Sequence, residues 1–84
     1  MTEPPRVTVL MSAYNAERFV REAVESVLGQ TFNDFEFLVF EDKSTDETLQ
    51  ILRSYADRRI RLMENSENRG LTKNLVTGVE MARG

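Results

Sequence analysis

Between Phe35 and Glu47 the chain reads Phe-Glu-Phe-Leu-Val-Phe-Glu-Asp-Lys-Ser-Thr-Asp-Glu, and its character changes once. Phe37 to Phe40 is an uninterrupted apolar run with the length and β-branched/aromatic content of a strand covered on both faces. Glu41 and Asp42 follow at once. Ser44-Thr-Asp-Glu47 then reads as a helix start, with Ser44 as cap and Glu47 reaching back to it in a capping box. Asp46 and Glu47 also suit the positive end of a helix dipole. A buried strand thus ends in carboxylates where a helix begins. In open α/β sheets that edge is where ligands bind. Capping alone explains Ser44 and Glu47. Glu41 and Asp42 keep two readings, a binding site or solvated loop carboxylates.

The rest of the chain repeats the strand–helix alternation. Val7 to Met11 is an almost continuous apolar strand, preceded by a frayed start over Met1 to Pro5 whose two prolines cannot join a ladder. Asn15 is a plausible helix cap, and Ala16 to Leu28 carries an apolar stripe of Phe19, Val20, Ala23, Val24, Val27 and Leu28. Gly29 sits where a left-handed C-cap is wanted. A second helix is predicted over Thr45 to Ala56 and a short third strand over Ile60 to Met63. A polar loop closed by Gly70 leads to a third helix from Leu71, with Leu71, Leu75, Val79 and Ala82 inward. Gly78 within it costs about 1 kcal/mol relative to Ala, which suggests close packing there. The alternation predicts parallel strands in an α/β fold, a three-layer sandwich with a Rossmann-like sheet.

Composition narrows the chemistry. With 84 residues the chain holds one domain at most. Histidine and cysteine are both absent, which removes thiolate metal sites, disulfides and the commonest general base. Acid–base work would fall to carboxylates, Lys or Tyr. The net charge of −3, with both signs interspersed, argues against a nucleic-acid or membrane-surface protein. No apolar run reaches transmembrane length and no signal-peptide core is present, so a cytoplasmic, reducing setting is expected. No glycine-rich phosphate loop follows the first strand, against a dinucleotide-binding domain and a P-loop NTPase. Glu41 and Asp42 are adjacent, so they do not face each other across a sugar as glycosidase carboxylates do.

The three strand ends are expected to converge. They bring together Ser12, Tyr14 and Asn15, then Glu41, Asp42 and Lys43, then the stretch from Asn68 to Lys73. Such a set can bind a nucleotide, with Tyr14 stacking on a base, Asp42 accepting from the base edge, and Lys73 or Arg69 meeting a phosphate. Taken singly, Tyr14 reads first as a half-buried packing residue, and Lys73 and Arg69 first as solvated cations; only their convergence raises the binding reading.

Four segments carry a resemblance. They are Val7-Thr-Val-Leu-Met-Ser-Ala-Tyr-Asn15, Ser26-Val-Leu-Gly-Gln-Thr-Phe32, Phe37-Leu-Val-Phe-Glu-Asp-Lys-Ser-Thr-Asp46 and Asn68-Arg-Gly-Leu-Thr-Lys-Asn74. In this order and spacing the chain resembles the N-terminal part of a family 2 glycosyltransferase, with the GT-A fold, over almost its whole length. The resemblance implies binding of a nucleotide sugar, a UDP-sugar foremost, and inverting transfer to an acceptor hydroxyl. It implies a base packed near Tyr14, a base edge held by Asp42, and a basic residue near the nucleotide at Lys73, with Ser12 as a further base contact. Two positions depart from the family. Glu41 stands where an aspartate is usual, and Lys43 stands where glycine is usual, which puts Lys43 under strain if the turn needs a positive φ.

The family's Asp-x-Asp metal motif and catalytic base lie beyond a helix like the third one. No catalytic residue and no metal ligand is therefore assigned within residues 1–84. A divalent metal, Mg or Mn, is expected only in the complete enzyme, and the chain alone is expected to be an inactive, truncated donor-binding domain. A non-catalytic α/β nucleotide-binding or protein-interaction module is the alternative. The family's strand order, three-two-one, would leave the first strand at an edge, from which a homodimer is expected.

Overall fold

The computed structural model describes residues 5–84. Parallel strands β1 (Val7–Ala13), β2 (Phe35–Glu41) and β3 (Ile60–Glu64) form one sheet in the order β1-β2-β3. Helices α1 (Val20–Leu28), α2 (Thr48–Arg53) and α3 (Leu71–Met81) alternate with them. The α/β class, the parallel sheet and the strand order agree with the sequence reading. The expected frayed start over Met1 to Pro5 lies, apart from Pro5, outside the described residues. Among the described residues no helix is long and apolar enough to cross a membrane.

Every residue of β2 is buried, as its unbroken apolar run requires of a central strand. Its side chains alternate between two faces. Phe35, Phe37 and Val39 join Val20, Val24 and Leu52, so α1 and α2 cover one face. The other face carries Leu10 and Phe40 and is covered by α3. The approach there is close: a Cβ added at Gly78 would lie 2.8 Å from Leu10 Cδ2 and 3.2 Å from Phe40 Cε2. Gly78 is therefore a contact point, as its cost within a helix suggested.

The α3 face is apolar only in its middle. At the amino end of the strands, the buried Glu36 carboxylate accepts from Thr8 Oγ1 (2.8 Å), Arg61 (2.9 Å), the Arg83 backbone N–H (2.6 Å) and Arg83 Nε (3.2 Å). One carboxylate thereby joins β1, β2, β3 and the segment after α3. At the carboxyl end lies a second polar cluster, described below.

Several local expectations need correction. The inward residues of α3 are Asn74 and Gly78, whereas Leu71 and Val79 are 61% and 67% exposed. A leucine stripe would suit an apolar sheet face, but this face is polar at both ends and so near at its centre that a Cβ at position 78 would have to displace Leu10. Ser44 and Glu47 form no capping box. The Ser44 hydroxyl donates to Glu41 instead, and α2 begins only at Thr48, whose N–H donates to Asp46 Oδ1 (2.9 Å). Asn15 is not the cap of α1, which starts at Val20; its φ is 48° and its side chain is turned to the neighbouring loop. Gly29 has φ −84°, not left-handed, because its N–H simply continues the helix to Glu25 O (2.9 Å).

Candidate functional site

The strands end level. Ala13 pairs with Glu41, and Glu41 with Glu64, so the three following loops leave from one crest. The first two loops are tied side by side. Glu41 is buried and accepts from the Ser44 N–H (2.9 Å) and hydroxyl (2.9 Å). Ser44 Oγ in turn accepts from the Asn15 N–H (2.9 Å), and Asn15 Oδ1 accepts from the Thr45 N–H (2.8 Å). Ala16 N–H donates to Thr48 Oγ1 (2.8 Å). This seam uses two left-handed residues, Asn15 (φ 48°) and Lys43 (φ 60°). Asn tolerates that region; Lys43 does so at a cost of about 1–2 kcal/mol. The strain expected from the glycine-to-lysine departure is therefore present.

Asp42, the next residue on β2's path, turns the other way, toward α3. It is 2% exposed. Its N–H donates to Ala13 O (2.9 Å). Carboxylate Oδ1 accepts from Asn65 Nδ2 (2.9 Å) and the Arg69 N–H (2.8 Å), and Oδ2 accepts from the Gly70 N–H (2.9 Å). Gly70 has φ 87°, the turn that aims its N–H and opens α3. Burial would raise the Asp42 pKa. The Arg69 N–H, the Asn65 amide, the Gly70 N–H and the Asn74 amide outweigh it and hold the carboxyl at about 2.

Asn74 extends the network. It is fully buried in α3, its Oδ1 accepts from Asn65 Nδ2 (2.9 Å), and its Nδ2 donates to Ser12 Oγ (2.8 Å). Proton counting then shows what is left. A carboxylate has about four acceptor positions, and Asp42 uses three. The Asn74 amide is a further donor beside the carboxylate and lowers its pKa together with those three. Ser12 accepts from Asn74, so its own hydroxyl proton is left to donate.

Of the residues singled out from sequence, Ser12 and Asp42 meet in this network. Tyr14 and Lys73 do not: Tyr14 is exposed at the end of β1 and Lys73 is exposed in the first turn of α3. Arg69 contributes its backbone N–H to Asp42, not its guanidinium. Asn65 and Asn74 were missed as functional residues. The available signal was an Asn four residues before Gly78, two poor helix formers on one helix face. Among the described residues no group of three or more Asp, Glu, His or Cys is placed to hold a metal ion.

Comparison with known proteins agrees with the fold. EpsE of Bacillus subtilis is 40% identical over 78 residues, which is 89% of this chain and 28% of EpsE. The Escherichia coli UDP-Glc:alpha-D-GlcNAc-diphosphoundecaprenol beta-1,3-glucosyltransferase WfgD is 35% identical over 78 residues, 93% of this chain and 31% of its own length. Among solved structures, the mannosyltransferase PcManGT from Pyrobaculum calidifontis, in complex with GDP-Man and Mn²⁺, superposes with a TM-score of 0.81 at 30% identity, over 96% of this chain and 25% of that one. The chain thus spans about a quarter to a third of the length of these proteins. The family model "Glycosyl transferase family 2" matches residues 8–84, and the chain belongs to that family.

Proposed function

We propose that this chain is the donor-binding part of an inverting glycosyltransferase, and that Asp42 and Ser12 recognise the base of a nucleotide-diphosphate sugar. The observation that carries the reading is the ionised Asp42 carboxylate at the crest of the sheet, linked through Asn65 and Asn74 to Ser12, whose hydroxyl proton is left to donate. An acceptor and a donor in one network complement the N–H and C=O that uracil and guanine both present on one edge. A UDP-sugar is the donor put forward, in line with the UDP-Glc in the name of the Escherichia coli relative. Tyr14 packs against the base from the end of β1, and Lys73 meets the diphosphate from the first turn of α3. Both are exposed and free to reorient onto a ligand.

A divalent ion, Mg or Mn, is proposed for the complete enzyme, after the Mn²⁺ in the mannosyltransferase complex. Among the described residues no cluster of carboxylates is placed to hold it. The test is calorimetric. Asp42→Ala in the intact protein is expected to weaken UDP binding by about 1–3 kcal/mol, the range for losing a hydrogen bond to a charged group. Unchanged affinity would sink the assignment.

We also propose that the free edge of β1 pairs with a second copy of the chain. Among the described residues β1 pairs only with β2, and Val7 is exposed on it. Light scattering is expected to report a dimer of the 84-residue chain; a monomer at high concentration would overturn this.

A further inference from the structure

We propose that Asn74 is a positioning residue for nucleotide recognition: its carboxamide sets which hydrogen-bonding positions of Asp42 and Ser12 stay open. This rests on the reading of Asp42 and Ser12 as the base-recognition pair.

Asn is a poor helix former, and burying its amide costs free energy unless both ends are paired. In α3 both ends are paired, across three elements. The Asn65 amide has two protons; one goes to Asp42 Oδ1 and the other to Asn74 Oδ1. Without Asn74 Oδ1, the Asn65 amide is free to rotate, and Asp42 loses a fixed donor on Oδ1. The other end of Asn74 acts on Ser12. An amide nitrogen has no lone pair to offer, so Ser12 must accept from it. The Ser12 proton is thereby kept for another partner. Without Asn74, the hydroxyl can turn that proton inward. Asn74 is fully buried, so its influence on a ligand runs through Ser12 and through Asp42, which it meets both directly and by way of Asn65. A structural spacer of this volume would not need both ends polar; a fully paired buried network specifies one arrangement of its members.

The experiment is a double-mutant cycle on UDP affinity, measured by calorimetry on the intact protein. Asn74→Ala is expected to weaken UDP binding about tenfold, and Asp42→Ala by at least as much. The double variant is expected to bind less than about tenfold more weakly than Asp42→Ala, because the part of Asn74's role that runs through Asn65 requires Asp42. Unchanged affinity in Asn74→Ala, or a further tenfold loss in the double variant, overturns the proposal. If Asp42→Ala alone leaves affinity unchanged, the base-recognition reading fails and this one falls with it. If Asp42→Ala weakens binding and Asn74→Ala does not, the positioning role alone fails. Should Asn74→Ala not fold, Asn74→Asp takes its place at nearly the same volume. Its carboxyl faces Asp42, the titratable neighbour in the network. Protonated, it can still donate to Ser12; ionised, it cannot. Its affinity for UDP is expected to fall between about pH 5 and about pH 8 more than that of the unaltered protein. A parallel pH dependence in the two proteins overturns the proposal.

Discussion

Glu36→Ala is expected to lower stability by about 3 kcal/mol, read as a shift in the urea midpoint at neutral pH. The carboxylate is 2% exposed and accepts four hydrogen bonds from three parts of the chain. Removing one partner of a buried ion pair costs about 3–5 kcal/mol. The low end applies here, because Arg61 and Arg83 are 34% and 57% exposed and regain water when released. Acid should erase the difference. Burial would raise the Glu36 pKa, but the Arg83 N–H, Arg61, Thr8 and the Arg83 side chain outweigh it and hold it at about 2, below the ordinary 4.5. A depressed carboxyl stabilises the fold fully above its unfolded value and loses that contribution as pH falls through its folded value. The gap between the two proteins should therefore be constant above about pH 5, narrow below 4.5, and close near 2. A gap that stays constant down to the lowest pH would show that packing, not the charge, is responsible.

Phe37→Ala should do more damage, about 3–5 kcal/mol. The ring is fully buried on the β2 face that meets α1 and α2, among Val20, Val24, Val39 and Leu52. At roughly 0.05–0.15 kcal/mol per residue, a domain of this size has only about 4–13 kcal/mol in total. A thermal midpoint lowered by more than about 10 °C, or loss of a cooperative transition, is the expected result. A midpoint within a few degrees of the original would mean that the surrounding side chains collapse into the space.

What could be read from the chain followed from periodicity. The run from Phe37 to Phe40 announces a central strand, and the alternation of strands with helices announces a parallel sheet; both depend on neighbours in sequence. What could not be read depends on partners far away. Glu36 finds Arg83 at a separation of 47 residues, and Asn74 finds Ser12 at 62. Nothing in the local pattern distinguishes Glu36 from an ordinary strand-start carboxylate. The capping box failed for a similar reason. Ser44 had a local use in capping, but Glu41 and Asn15 offered it two partners at once. Asp42 was legible as a candidate because it ends a buried strand. The donors that organise it, two backbone N–H groups and an amide, carry no sequence signature beyond Gly70.

Helix α3 and the residues after it are fastened to the sheet at two places. Asn74 meets Ser12 at the carboxyl end of β1, and the Arg83 and Gly84 backbone amides meet Glu36 of β2 and Thr8 of β1 at the amino end of the sheet. From Asn74 to Met81 the helix rises about 10 Å and the extended Ala82 adds about 3 Å more, while the four residues of strand from Thr8 to Ser12 span about 13 Å. The two lengths act as matched rulers laid antiparallel. Inserting one residue between Asn74 and Arg83 would advance the far anchor by about 1.5 Å and rotate it by about a third of a turn. Only one fastening could then close. Substitutions along α3 change how well it packs, whereas a change in its length changes what it can reach.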